Sequence, residues 1–164
     1  MLERGQVQLN LSHGTLADVI ERAVIAAGVD ETSLKVLRRV PSEAVAIYTD
    51  LERLTQVFIN LISNAAKYAS GQAPELRITV HENGGRCVVD FCDNGPGVPK
   101  ESQSMVFEKF SRLEDAGKAG GAGLGLAICR QIMAALGGDV TYLPAQGGAA
   151  FRVTLPERSE LAAQ

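Results

Sequence analysis

The chain has 164 residues, of which 46% are hydrophobic and 21% are charged, and its formal net charge is −3. These values predict a single globular domain with a buried core and exclude a disordered chain. A net negative charge argues against binding to a nucleic-acid backbone, and no hydrophobic run reaches the roughly 18–20 residues that span a bilayer. The three cysteines form no C-x-x-C pair, which disfavours a disulfide framework or a structural zinc site and favours a cytoplasmic location.

Strand and helix patterns follow one another along the chain. In chain order we predict a strand at 7–11, a helix at 15–27, strands at 34–40 and 43–48, a helix at 50–69, strands at 75–82 and 86–93, a short helix at 101–107, a helix at 124–136, and strands at 139–143 and 149–155. Alternation marks the strands, and apolar spacings of three and four mark the helices. Asp50 is a good N-cap for the longest helix, and Gly28 ends the first.

Turn residues indicate how these elements connect. Asn83-Gly84-Gly85 is a strong hairpin signal between the fourth and fifth strands. We also interpret the second and third strands as a hairpin around Pro41-Ser42. Residues 111–122 are polar and hold three glycines, which is typical of a mobile loop. Together the elements predict a layered α+β domain with helices against one face of a mixed sheet.

The long predicted helix carries two different faces. At about 100° per residue, one arc is apolar and forms the core face. Its members are Leu51, Leu54, Phe58, Leu61, Ile62 and Ala65. Asn60, Asn64 and Lys67 share a second arc, with Tyr68 at its edge. A solvated helix face is the alternative, but two asparagines one turn apart are unfavourable in a helix unless something uses them. Amide oxygens beside an ammonium group suit Mg²⁺ and phosphate.

A second candidate feature follows the fifth strand. The segment Asp93-Asn94-Gly95-Pro96-Gly97-Val98-Pro99 holds two glycines and two prolines, which fix an irregular loop that a ligand can approach closely. The carboxylate of Asp93 could accept a hydrogen bond from the exocyclic amine of adenine and would repel the carbonyl of guanine. An Asx turn followed by a Pro-Gly turn is the alternative.

Two further segments flank the polar loop. Gly120-Gly121-Ala122-Gly123-Leu124-Gly125-Leu126 opens a helix, where free N–H groups can bind an anion. The segment is neither a Walker loop nor a Rossmann fingerprint, and a linker is the alternative. Before the loop, Phe107 and Phe110 share a helical turn and could be ordinary core residues. They could also anchor a lid whose Arg112 reaches phosphates.

The order of these motifs carries a specific resemblance. Asn-Leu-Ile-Ser-Asn-Ala-Ala-Lys-Tyr, Asp-Asn-Gly-Pro-Gly-Val, Phe-Glu-Lys-Phe-Ser-Arg and Gly-Ala-Gly-Leu-Gly-Leu-Ala-Ile follow one another. This series resembles the catalytic ATP-binding domain of bacterial sensor histidine kinases, in a group that includes gyrase and mismatch-repair ATPases, over about residues 5–155. The resemblance implies the Bergerat fold, an α/β sandwich whose mixed, mostly antiparallel sheet is covered on one face by about three helices. ATP would lie between the long helix and a lid.

The resemblance also implies roles for individual residues. On the long helix, Asn64 would bind Mg²⁺ with Asn60 in support, Lys67 would contact the phosphates, and Tyr68 would pack on adenine. Asp93 would bind the adenine amine. The remaining implied nucleotide contacts are Gly95 and Gly97 in the adenine wall, Phe107 and Phe110 of the F box, Arg112 on the phosphate tail, Lys118 in the lid, and Gly121, Gly123, Leu124 and Gly125 at the helix start. Asn64, Lys67 and Arg112 would be the catalytic set.

Two positions depart from the family pattern. Gyrase-like members carry a glutamate where this chain has Asn60. Because an amide cannot act as a general base, efficient ATP hydrolysis is not expected and the histidine-kinase interpretation is favoured. Many sensor kinases carry Thr, Ser or Gln where this chain has Ala122. Any phosphate or metal contact from that position would have to come from its backbone.

We expect the catalytic ATP-binding domain to occupy residues 6–156, with its lid at 111–122. Residues 1–5 would be a remnant of a dimerisation helix and 157–164 a flexible tail. His13 has no acidic neighbour, so the phosphate acceptor would be a histidine on a separate dimerisation domain. That domain would pass the phosphate to a response regulator.

We expect no contact with nucleic acid or membrane, a monomeric or weakly associated isolated domain, and a parent protein that can be anchored in the inner membrane. Two alternatives stay open: a regulatory nucleotide-binding module without kinase chemistry, and an anti-sigma-type serine kinase.

Overall fold

The computed structural model describes residues 8–29, 34–40, 45–68, 73–95, 101, 103, 107, 122–143 and 148–156. It contains three long helices and seven strands within these ranges. The elements are β1 Ser12–Thr15, α1 Leu16–Ala27, β2 Lys35–Arg39, β3 Ala46–Thr49, α2 Leu51–Tyr68, β4 Glu75–Asn83, β5 Arg86–Asp93, α3 Ala122–Leu136, β6 Asp139–Tyr142 and β7 Ala150–Thr154.

The strands form one large sheet and one small sheet. The five-stranded sheet has the order β2-β4-β5-β7-β6, and β1 pairs with β3 separately. Only the β2–β4 pairing is parallel among these described strands. The predicted mixed, mostly antiparallel sheet is therefore confirmed. Gly84 and Gly85 have φ angles of +65° and +84°, as the tight turn between β4 and β5 requires.

Local capping sets the helix ends. Thr15 Oγ1 accepts from the backbone N–H of Asp18 at the start of α1, and Gly28 ends that helix with φ +71°. Asp50 Oδ1 accepts from the backbone N–H of Arg53 at 3.1 Å and caps α2. The boundaries at Gly28 and Asp50 were predicted from the sequence, because capping depends on residues close in the chain.

The three helices cover one face of the large sheet. Helix α2 lies between α1 and α3 and contacts both. The rings of Phe58 in α2 and Phe91 in β5 are 5.1 Å apart, which fixes α2 over the centre of the sheet. The fully buried large side chains of this core are Phe58, Phe91, Leu16, Ile20, Leu34, Leu54, Leu61, Ile62, Leu76, Ile78, Met133 and Leu136. The predicted α+β sandwich is confirmed.

The predicted hairpin between the second and third strands is wrong. Both strands exist, but β2 pairs in parallel with β4, while β3 pairs with β1. A backbone hydrogen bond from Leu16 N to Val45 O, 2.9 Å long, ties the start of α1 to the approach to β3. This pairing brings the chain segments that lead into α1 and α2 together, so the two helices can pack side by side.

Two predicted boundaries also move. The first strand lies at Ser12–Thr15 rather than 7–11, because its register with β3 begins at Ser12. Helix α3 begins at Ala122, so Ala122 belongs to the helix and not to the lid. The terminal segments 1–5 and 157–164, most of the predicted short helix at 101–107, and the rest of the lid lie outside the described residues.

Candidate functional site

Asp93 lies at the end of β5, where the strand gives way to a loop. Its exposed fraction is only 7%. Oδ1 accepts from the backbone N–H of Gly95 at 2.8 Å and from that of Ala149 at 3.1 Å. Neither of these two bonds uses Oδ2. The carboxylate is therefore fixed by one oxygen, and the other oxygen can accept a bond from a ligand.

The position of Asp93 follows from the alternation of β5. Phe91, two residues earlier, contacts Phe58 of α2. Side chains at i and i+2 of a strand share a face, so Asp93 lies on the face that the helices cover. Burial raises the pKa of the Asp93 carboxyl, while the two backbone hydrogen bonds act in the opposite direction. The bond from the Gly95 N–H is that of an Asx turn, as the alternative interpretation predicts, and the carboxylate that closes this turn is buried.

Gly148 lies directly against Asp93 at the end of β5. A Cβ atom added there would lie 2.0 Å from the backbone oxygen of Asp93 and 3.1 Å from its Oδ1. Only glycine allows the segment before β7 to approach β5 so closely. Gly148 and the N–H of Ala149 are functional candidates that our sequence reasoning missed. The pair Gly147-Gly148, between the last two predicted strands, was the available signal.

Asn94 fixes the other side of the loop. Its Oδ1 accepts from the backbone N–H of Glu75 at 2.9 Å, and its Nδ2 donates to Ala73 O at 2.8 Å. The amide therefore ties the residue after Asp93 to the start of β4. Gly95 is half-buried beside Asp93, while the predicted Gly97 lies outside the described residues.

The predicted metal and phosphate residues lie along α2. Asn60 and Asn64 are half-buried and Lys67 is exposed, as expected for a polar helix arc that faces away from the core. Tyr68 is the last residue of α2. Asn60 Oδ1 accepts from Gln56 Nε2 at 3.0 Å, and Asn60 Nδ2 donates to Gly125 O at 3.3 Å.

The contact between Asn60 and Gly125 brings two predicted parts of the site together. Gly125 belongs to the first turns of α3, as do Gly123 and Leu124. The N-terminus of α3, a helix of 15 residues, therefore lies beside the middle of α2. Gly121 is outside the described residues. Free N–H groups at this end of α3 are suited to an anion.

Phe107 connects the segment before the lid to the core. Its ring meets that of Phe151 edge-on at 5.8 Å, and the Arg130 guanidinium of α3 lies 4.6 Å from its ring centroid. This position agrees with the predicted core packing of Phe107. The Arg130 contact was not predicted. Phe110, Arg112 and Lys118 lie outside the described residues.

Comparison with known proteins gives the class to which this fold and site belong. Residues 49–159, more than half of the chain, match the family "Histidine kinase-, DNA gyrase B-, and HSP90-like ATPase". The chain belongs to this family.

Curated relatives and solved structures narrow the class. The chain is 42% identical over 120 residues, 73% of its length, to sensor protein KdpD of Escherichia coli, and covers 13% of that protein. It is 35% identical over 134 residues, 79% of its length, to sensor histidine kinase WalK of Bacillus subtilis, and covers 22% of it. The structure superposes on the mycobacterial sensor histidine kinase MprB with a TM-score of 0.77 and 26% identity, covering 90% of this chain and 99% of that one.

The family and its relatives confirm the resemblance inferred from the motifs. The chain spans a minor part of these curated relatives, 13% of KdpD and 22% of WalK. In the described part of the chain, no helix is both long and apolar enough to cross a bilayer.

Proposed function

We propose that this chain is the catalytic domain of a sensor histidine kinase. It binds Mg²⁺-ATP and transfers the γ-phosphate to a histidine on a separate dimerisation and phosphoacceptor domain. The observation that carries the proposal is the buried Asp93, which two backbone N–H groups hold by one oxygen. Asp93 lies on the sheet face that α2 covers through the Phe58–Phe91 contact, which supports an adenine at Asp93 and phosphates toward the polar arc of α2.

Adenine selection would depend on Asp93. With Oδ1 occupied by the N–H groups of Gly95 and Ala149, Oδ2 would accept from the adenine amine. A guanine would present a carbonyl oxygen to the same atom, and two acceptors repel each other. Gly95, Gly97 and Tyr68 complete the proposed adenine wall.

The phosphate end would use α2 and the start of α3. Asn64 offers an amide oxygen, a hard ligand of the kind that Mg²⁺ takes together with waters and phosphate oxygens. Asn60 would support the metal or its waters. This donor set fits Mg²⁺, which would supply neutralisation of phosphate charge. Lys67 would add a point charge, and Gly121, Gly123, Leu124 and Gly125 would place phosphates at the positive end of α3.

Catalysis would then be positioning and charge stabilisation. Asn64, Lys67 and Arg112 form the proposed catalytic set, with Lys118 as a further lid contact and Phe107 and Phe110 as lid anchors. Asn60 cannot take a proton from water, so slow hydrolysis of ATP is part of the proposal. The nucleophile would be the histidine of the partner domain, whose phosphate a response regulator would receive. We place this reaction in the cytoplasm.

The proposal is tested with γ-labelled ATP and the parent's phosphoacceptor domain made as a separate chain. Label should appear on that domain in a Mg²⁺-dependent manner and should be lost in acid. Asn64→Ala should abolish transfer while ATP without metal still binds. Ser63→Ala, one residue earlier on α2, is the matched control and should transfer normally. If ATP binds but no label moves, the kinase assignment is wrong; if Asn64→Ala still transfers, the metal assignment is wrong.

A further inference from the structure

The amide of Asn60 joins α2 to α3 in a largely apolar part of the helix interface. Nearby Val57, Leu61, Leu126 and Cys129 are all buried. Asn60 Nδ2 donates to the carbonyl oxygen of Gly125 at 3.3 Å. Asn60 Oδ1 in turn accepts from Nε2 of Gln56, one turn earlier on α2, at 3.0 Å. We call this chain of two hydrogen bonds, Gln56–Asn60–Gly125, the α2–α3 tether.

Donor and acceptor chemistry fixes the direction of the tether. The Gly125 carbonyl can only accept, so the Asn60 atom that faces it has to be the NH₂ group. The Asn60 oxygen then faces Gln56, which has to present its own NH₂ group. If residue 56 presented an acceptor instead, the Asn60 amide could not satisfy both neighbours. Turning its NH₂ group toward residue 56 would place its oxygen against the Gly125 carbonyl oxygen. The Gly125 carbonyl therefore fixes which way Asn60 points, and the Gln56 NH₂ group supports that orientation.

The tether supports a helix end that is weak by composition. Ala122 to Gly125 include two glycines, and each glycine costs a helix about 1 kcal/mol relative to alanine. Cys129, one turn after Gly125, adds a second link, because its Sγ donates to Val57 O at 3.7 Å. Burial raises the pKa of the Cys129 thiol to about 12, so this thiol stays protonated and available as a donor. Both links hold the start of α3 against α2.

We propose that Gln56 is a positioning residue for nucleotide binding. It supports the orientation in which the Asn60 amide donates to Gly125, and the tether then holds the N-terminus of α3 where its N–H groups can meet phosphates. This inference rests on the proposed function and adds to Asn60 a role that needs no metal. Gln56 is exposed and lies one turn before Asn60 and about two turns before Asn64 on α2. None of the sequence motifs assigned it a function.

The first arm of the test uses the nucleotide-free protein. Gln56→Glu presents only acceptors to Asn60 at neutral pH and should break the tether. Loss of one hydrogen bond predicts about fivefold faster hydrogen exchange of the Leu126 and Ala127 amides. Gln131→Glu introduces the same charge at an exposed position of α3 and should leave the exchange of these amides unchanged. Unchanged exchange in Gln56→Glu would overturn the tether, whatever the chain binds.

The second arm measures ATP and adenosine affinity with Mg²⁺ and with EDTA. Gln56→Glu should weaken ATP binding about fivefold relative to Gln131→Glu in both conditions, with adenosine affinity unchanged. Gln56→Lys keeps a donor toward Asn60 Oδ1 and should bind ATP like Gln131→Lys. Equal ATP affinity of the two glutamate variants would refute the positioning role. If the unchanged chain binds no ATP, the proposed function fails, while the exchange arm still decides the tether.

Discussion

Replacing Gly148 by alanine would place a methyl group between the segment before β7 and the end of β5. The added Cβ would lie 2.0 Å from Asp93 O, whereas real Cβ contacts stay above 3.0 Å. One of the two backbone segments would therefore have to move by about 1 Å. Inserting a methyl group into a closely packed site costs about 1–3 kcal/mol. For a domain of this size that corresponds to a fall in Tm of roughly 2–12 °C.

The movement should also displace the carboxylate of Asp93. Its bond to Ala149 N, at 3.1 Å, comes from the residue next to the substitution. We therefore expect Gly148→Ala to lose about tenfold in ATP affinity, through a weakened adenine contact. Thermal unfolding and calorimetric titration with ATP, both below the lowered Tm, measure the two effects separately.

Gly138→Ala is a matched control for this variant. Its added Cβ would lie 2.2 Å from the backbone oxygen of Thr154, a clash of the same kind at a site away from Asp93. It should lose stability but keep the ATP affinity of the unchanged chain. The reasoning would be refuted if Gly148→Ala retained full stability, or if Gly138→Ala lost as much affinity as Gly148→Ala.

Two further predictions concern the stability of the fold away from the candidate site. Burial alone would raise the pKa of the Asp90 carboxyl, but hydrogen bonds from Arg152 and His81 lower it below its ordinary value of 3.8. The stability from ionised Asp90 is therefore present above pH 3.8 and is lost as the pH falls through the lowered pKa. Unfolding measured across acid and neutral pH should show that Asp90→Asn is less stable at neutral pH and less sensitive to acid. Equal acid sensitivity of Asp90→Asn and the unchanged chain would contradict this. The Arg86 guanidinium donates to the carbonyl oxygens of Leu155 and Gly137 at 3.0–3.1 Å. Arg86→Ala should therefore reduce the free energy of unfolding, measured by urea titration, by about 1–3 kcal/mol. A change below about 0.5 kcal/mol, the range of ordinary surface substitutions, would show that these hydrogen bonds are unimportant for stability.

Local signals predicted much of the fold. The cap at Asp50, the stop at Gly28 and the turn at Gly84-Gly85 each depend on residues close together in the chain. Strand pairing does not depend on residues that are close together in the chain. The partner of β2 lies beyond β3 and α2, and the alternation of β2 says only which side chains share a face. The parallel pairing with β4 was therefore not predicted, and the nearer strand was wrongly preferred.

The candidate site also combines features with a local sequence signal and contacts without one. The position of Asp93 at the end of β5 was predicted from its own segment, and the shared polar arc of α2 was predicted from helical spacing. The N–H group of Ala149 that holds Asp93 comes from 56 residues away, and the Gly125 carbonyl that meets Asn60 comes from 65 residues away. A single sequence carries no local pattern for such contacts, because they arise only when the sheet and the helices pack.

The central claim is that this chain holds an adenine nucleotide against Asp93, and competition between ATP and GTP tests it most directly. We predict that ATP binds at least about tenfold more tightly than GTP, since guanine sets a carbonyl against Oδ2. In Asp93→Asn the amide oxygen can keep both backbone hydrogen bonds, so its NH₂ group replaces Oδ2. This variant should bind ATP more weakly and lose the preference over GTP. Equal affinity of the unchanged chain for ATP and GTP, or an undiminished preference in Asp93→Asn, would contradict the account.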